Sequence, residues 1–309
     1  MHKIPAWVTD RIPDIQKASY LPQRFTDSTH ELWQLQLARQ LKTTRQLKTA
    51  RQLKKAHPEF ATQCAFLKVC TNTKSPFWQI MQQLFGLDLK KEIPAFSNLY
   101  QHIGSLTSLK IPELIQAASF RKKEMKEEDA YILTSELSGS AVEDVSPLMA
   151  TQLAEYLAEM HQDKSQNWGL MTKPVYSKEQ WPQRLKQVLI DFSKQQNVAG
   201  DIYLSAIKSC EKIACEEFVP VMPDLRWDQF LQQDQKLTAL VDLDAFVFAP
   251  RELDFVLLEF ILEKEQFAAF LKVYSQAHTI PDITEVRPAY RLLLFLMQVQ
   301  GELDIEACF

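Results

Sequence analysis

Apolar and polar residues alternate in several short runs of the first 137 residues, and alternation with a period of two marks half-buried strands. Leu32–Leu37 reads LWQLQL, Gln63–Val69 reads QCAFLKV, and Ala130–Leu137 reads AYILTSEL. Ser19–Phe25 and Leu114–Ala118 add two further strand-like runs. Between them the period lengthens. Pro76–Phe85 (PFWQIMQQLF) is amphipathic, and over Leu89–Ile103 the residues Ile93, Phe96, Leu99, Tyr100 and Ile103 recur at helical spacing. Pro94 fits such a helix only in its first turn, where its missing N–H costs nothing. Beyond residue 138 helical patterns dominate. Ser146 followed by Pro147 is an N-cap and N1 pair opening a helix to about His161, with Leu153, Leu157 and Met160 inward. Ser177–Gln180 has the form of a capping box for a helix to about Gln196. Asp201–Glu217, Glu252–Glu263, Lys264–His278 and Asp282–Gln300 follow, and Asn167–Tyr176 reads as a loop. The prediction is an α+β chain, with a small antiparallel sheet and one or two helices over 1–137 and a mostly helical part over 138–309.

Val219–Phe255 interrupts the helices. Two apolar runs, Val219–Met222 and Leu237–Val241, each end at an aspartate, Asp224 and Asp242. Gln232–Lys236 is a polar turn, so the stretch predicts a hairpin-like unit that sets two carboxylates side by side. Turn-forming alone would explain an Asp after a strand. Phosphoryl transfer from a nucleotide uses such a pair: one carboxylate near the attacking hydroxyl, the other holding Mg2+ on the phosphates.

The motif order Asp224, Gln229, Asp242, Asp254, within VPVMPDLRWDQFL, KLTALVDLDAF and VFAPRELDF, resembles the aminoglycoside phosphotransferase, choline kinase and fructosamine kinase superfamily. These are the small-molecule relatives of protein kinases. The resemblance implies a two-lobe, protein-kinase-like fold with a nucleotide-binding N-lobe over 1–137 and a helical C-lobe over 138–309 that contains a catalytic hairpin. It puts Asp224 at the catalytic aspartate, Asp242 at the metal aspartate and Gln229 at the second metal ligand. Lys68, in its F-L-K-V context, matches the lysine that holds the α- and β-phosphates, and Glu92 the acidic partner of that lysine. Ser28 and Thr29 lie in the turn that would cover the phosphates, and Glu136 and Leu137 where backbone groups meet the adenine edge. The implied cofactors are ATP (or GTP) and Mg2+, and the implied reaction moves the γ-phosphoryl group to a hydroxyl of a small molecule. Met222-Pro223 replaces the family's His-Gly, Gln229 replaces its Asn, and the phosphate turn has no glycine, the first being Gly86. Those departures leave a second reading open: a nucleotide-binding or regulatory module without turnover.

Charge refines this picture. The 309 residues carry a net charge of −4, which argues against a general nucleic-acid role. Residues 1–140 hold 20 Lys and Arg against 13 Asp and Glu, a balance of +7, so the remainder carries −11. An acidic C-terminal half suits a cationic substrate, and equally a merely soluble surface. Arg39–Ala56 repeats RQLKTT, RQLKTA and RQLKKA without one acidic residue. It reads as a basic insertion between two strands, with an anionic partner as the sharper alternative. Five cysteines without a C-x-x-C pair, no apolar leader, and no apolar run longer than Leu292–Met297 predict a cytoplasmic protein with reduced thiols and no membrane span.

Overall fold

The computed structural model describes residues 4–12, 15–22, 30–38, 63–71, 74–121, 128–198, 200–301 and 304–309. Ser28, Thr29 and the basic repeat 39–56 lie outside the described residues. The chain forms two compact units, one of residues 1–73, 89–100 and 111–137, the other of residues 74–88, 101–110 and 138–309.

The first unit is built on a five-stranded antiparallel sheet. Its strands are β1 (Ile15–Leu21), β2 (Glu31–Leu37), β3 (Gln63–Val69), β4 (Leu114–Arg121) and β5 (Glu128–Ser135), in the spatial order β1-β2-β3-β5-β4. The first strand begins at Ile15, earlier than the expected Ser19, because Ile15–Leu21 pairs with β2 along its length. Alternation decides which residues form the core. Trp33, Leu35, Leu37, Ala65, Leu67 and Val69 are buried on one face with Tyr131 and Leu133. A short helix, Ala6–Arg11, covers that face with Val8, while Trp7 packs on Phe120 and Tyr131 at 4.7 and 5.6 Å between ring centroids. Phe66 and Lys68 fall on the opposite face, Lys68 between Leu32 and Ile132 in register. A helical turn, Leu89–Glu92, packs against β5, and the 3-10 turn Ile93–Ala95 packs against β4 and β5. Pro94 sits in the first turns of this segment, and the regular helix runs from Phe96 to Leu106.

The second unit holds two small sheets among helices. Strands β6 (Ser140–Ala141), β7 (Trp168–Leu170), β8 (Lys173–Tyr176), β9 (Val219–Val221), β10 (Phe230–Gln233), β11 (Lys236–Leu240) and β12 (Val247–Ala249) are arranged as β11-β10-β6 and β8-β7-β12-β9. Trp168–Tyr176 is thus a hairpin and not the expected loop. Trp168 is fully buried, its ring near those of Tyr176 and Trp181 at 4.7 and 4.8 Å, and this anchor holds the two strands. Ser146 accepts the Met149 N–H at 3.2 Å and caps helix Pro147–Met160, which packs on helix Lys264–Tyr274. Helix Gly200–Cys210 stops seven residues before the expected end, since Glu211 and Lys212 donate to carbonyls three residues back and tighten the last turn. The final helix starts at Arg287 and not at Asp282. The Asp282 carboxylate accepts the Thr284 N–H at 2.9 Å and fixes a turn there instead. No helix among the described residues is long and apolar enough to cross a membrane.

Candidate active site

The strand after Phe218 does not pair with the strand before Asp242. The hairpin is β10–β11, closed by Asp234 and Gln235, both left-handed at φ 52° and 59°. Two consecutive left-handed residues make the turn type whose twist matches antiparallel strands. β9 pairs instead with β12, Val221 opposite Val247 and Val219 opposite Ala249. Pro220, which cannot donate to a ladder, is accommodated because β9 is the edge of its sheet.

These two antiparallel ladders fix the candidate site. In the β9–β12 ladder, the chain leaving Val221 and the chain entering Val247 lie at the same end. In the β10–β11 ladder, Phe230 faces Leu240, so the chain entering β10 and the chain leaving β11 also share an end. The loop 222–229 with Asp224 and the loop 241–246 with Asp242 are therefore held together by a ladder on each side. The Val241 N–H donates to the Gln229 carbonyl at 2.8 Å and joins them directly.

Asp224 and Asp242 are both half-buried. Asp242 has φ 66°, a conformation that Asp tolerates better than most residues and that tends to persist where function requires it. Asp244 is 2% exposed, a carboxylate two residues beyond Asp242 that pattern reading did not single out. The D-x-D spacing in LVDLDAF was the available signal. Within the first loop, Arg226 pairs with Asp228 at 3.3 Å, and the Trp227 indole donates to the Ile261 carbonyl at 2.9 Å, which makes Trp227 a packing residue. Gln229 is 3% exposed. Its side-chain oxygen accepts the Arg226 N–H at 2.9 Å, and its nitrogen donates to the Asp224 carbonyl at 3.0 Å. Met222 is also buried, and its carbonyl accepts the Leu225 N–H at 2.9 Å.

Asp254 opens helix Glu252–Ile261 and is fully buried. Its Oδ2 lies 2.9 Å from His161 Nε2, and His161 Nδ1 lies 2.7 Å from the Tyr274 hydroxyl. Burial raises the Asp254 carboxyl above its ordinary range, with the His161 hydrogen bond pulling the other way. Burial also pushes the Tyr274 hydroxyl up to about 12. The Tyr274 hydroxyl and the Asp254 carboxylate thus each take one ring nitrogen of His161.

In the first unit Lys68 is half-buried on β3, and Glu92 is half-buried at the end of its helical turn. Glu136 follows β5. Its N–H reaches the Cys64 carbonyl at 3.4 Å, and its carboxylate accepts from the Gln34 amide at 2.8 Å. Burial, then the neighbouring Glu136 charge, raise the Cys64 thiol. Leu137 is the last residue of the unit. Lys68, Glu92, Glu136 and Leu137 thus lie in one compact unit, and Asp224, Gln229 and Asp242 in the other.

The fold is shared with solved phosphotransferases. A macrolide 2′-phosphotransferase from Brachybacterium faecium superposes with TM-score 0.58 at 11% identity, covering 95% of this chain and 89% of its own. A putative fructosamine-3-kinase from Haemophilus somnus gives 0.59 at 13% identity, covering 95% and 88%. APH(2″)-IIia, solved with GDP and kanamycin, gives 0.55 at 14% identity, covering 95% and 88%. No curated protein matches the sequence. The profile of the phosphotransferase enzyme family matches residues 82–293, from the π-helical turn Met81–Phe85 through both aspartate loops to the last helix, and the chain belongs to that family.

Proposed function

We propose that the protein transfers the γ-phosphoryl group of ATP (or GTP) to a hydroxyl of a small molecule, with Mg2+. The observation that carries this is the pair of ladders that brings the Asp224 and Asp242 loops to one end in a chain of this family. Asp224 would accept or orient the proton of the attacking hydroxyl. Asp242 would hold Mg2+, which draws charge from the β- and γ-phosphate oxygens when bound. The residues suit such a cation. Asp242 is half-buried in a constrained backbone, and among the described residues no three His, Cys, Asp or Glu side chains form a metal site by themselves. A cation completed by nucleotide phosphates needs only one or two protein carboxylates. Lys68 would hold the α- and β-phosphate oxygens, oriented by Glu92, and backbone groups at Glu136 and Leu137 would meet the base. Ser28 and Thr29 would lie over the phosphates. The GDP of a structural relative supports nucleotide use. The acidic balance of residues 141–309 suits a cationic substrate, and Cys64, Cys70, Cys210 and Cys215, outside any disulfide, suit the cytoplasm.

The test is a phosphorylation screen of aminoglycosides, macrolides, amino sugars and cationic metabolites with labelled ATP and GTP. Asp224→Asn should remove turnover while nucleotide binding persists. Full turnover in Asp224→Asn would refute its role. Buried Met222-Pro223 at the family's His-Gly favours a second reading, binding without turnover. Magnesium-dependent nucleotide binding with no phosphorylated product across the screen selects that reading.

A further inference from the structure

We propose that Gln229 is a clamp that fixes the backbone of the Asp224 loop, and that it leaves the metal to be held without it. The proposal rests on the phosphotransfer reading for the metal and on geometry alone for the clamp. A side-chain amide offers one oxygen and one NH2. In Gln229 both face inward: the oxygen takes the Arg226 N–H at 2.9 Å and the nitrogen gives to the Asp224 carbonyl at 3.0 Å. The side chain is 3% exposed, so neither group is turned toward water or a ligand. Its own backbone is pinned as well, with the N–H on the Arg226 carbonyl at 3.2 Å and the carbonyl under the Val241 N–H at 2.8 Å.

The result is a closed ring of hydrogen bonds from Asp224 through Gln229 and Arg226, tied to the strand that delivers Asp242. Turning the amide oxygen toward a cation would break both of these hydrogen bonds, from the Arg226 N–H and to the Asp224 carbonyl. An intramolecular hydrogen bond contributes about 0.5–1.5 kcal/mol net. The extra methylene of Gln relative to Asn is what lets the amide fold back over its own loop. Asp242 is then the metal ligand that this pair of loops supplies, and the bound nucleotide carries one divalent ion in place of two. Gln229 acts on the chemistry through Asp224, as a positioning residue.

Two measurements test this. In amide hydrogen exchange on the nucleotide-free protein, the Arg226 N–H should be protected. Gln229→Met, which keeps the shape and removes both bonds, should speed its exchange about tenfold or more, while helix Pro147–Met160 is unchanged. An unprotected Arg226 amide in the parent protein, or equal rates in both proteins, overturns the clamp. In Mn2+ titration by electron paramagnetic resonance with a non-hydrolysable ATP analogue, the parent should bind one ion per chain and Gln229→Asn two. Two ions in the parent, or one in both, overturns the ligand assignment. Absence of any Mn2+-dependent nucleotide binding in the parent sinks the phosphotransfer reading instead, and the clamp then stands or falls on Arg226 exchange.

Discussion

His161→Phe should be among the most damaging single changes in the second unit. The ring sits at 1% exposure between Asp254 and Tyr274, both at 0%. Phe fills most of the volume but offers no hydrogen bond. The bond to a carboxylate is worth about 1.5–3 kcal/mol and the one to the Tyr274 hydroxyl about 1 kcal/mol. The first loss leaves a buried charge without its donor, since Asp254 Oδ1 has no other partner. Breaking a buried pair from one side costs about 3–5 kcal/mol, and we expect that loss in urea unfolding at pH 7.5. The second half of the prediction is sharper. His161→Phe with Asp254→Asn should be more stable than His161→Phe alone by about 1–2 kcal/mol, because the stranded charge is gone. The pH dependence follows from the direction of the Asp254 shift. A carboxyl whose folded pKa is raised holds its proton in the folded state while the unfolded state has released it. Its contribution is therefore complete at low pH and lost as pH rises through the folded pKa. Removing His161 removes the influence that lowers that pKa. The His161→Phe deficit should thus shrink from pH 7.5 to pH 5. A double variant no more stable than the single one would show that the charge of Asp254 is not what His161 answers.

Asp242→Asn keeps a residue that tolerates φ 66°, whereas Asp242→Ala does not; both should lose Mg2+-dependent nucleotide binding in a thermal-shift titration, but only Ala should also lower the ligand-free Tm. Gln235→Gly should stabilise the chain by about 0.5–1 kcal/mol in urea unfolding, because φ 59° suits glycine at this turn. Gly169→Ala should cost at least about 1 kcal/mol by the same assay. The position has φ 111°, and a Cβ would come within 3.1 Å of the Phe85 carbonyl and 3.0 Å of the Tyr176 ring.

The legible parts of the chain were those where side-chain pattern and backbone need coincide. β3 has the bounds that its alternation gives, Gln63–Val69, since every second residue enters one core. Ser146-Pro147 opens its helix as read, because capping is a local hydrogen bond. Strand partnership was not legible. Val219–Val221 is three residues of unbroken apolar sequence, buried at each position, and such a run carries no sign of which neighbour it will choose. Trp168–Tyr176 was missed because its strands, Trp168–Leu170 and Lys173–Tyr176, are too short to display alternation. Asp244 was overshadowed by Asp242 despite its D-x-D spacing, and its burial brings it forward.

The departures from the family pattern then read differently once the ladders are considered. A histidine or an asparagine at the ends of the Asp224 loop would look indispensable if side chains alone shaped the loop. Here the backbone does much of that work. β9–β12 fixes the entry at Val221, β10–β11 fixes the exit at Phe230, and the Leu225 N–H on the Met222 carbonyl sets the first turn. Pro223 supplies a pre-set φ there. Met222 is buried, and a thioether side chain at this position contributes packing in place of a strong hydrogen bond. Under those constraints the Gln229 amide closes the loop on the Arg226 N–H and the Asp224 carbonyl. On the clamp proposed above, the position of Asp224 depends on residue 229 more than on the dipeptide before it. Replacing Met222 by Leu should leave the Asp224 loop intact, while replacing Gln229 should not.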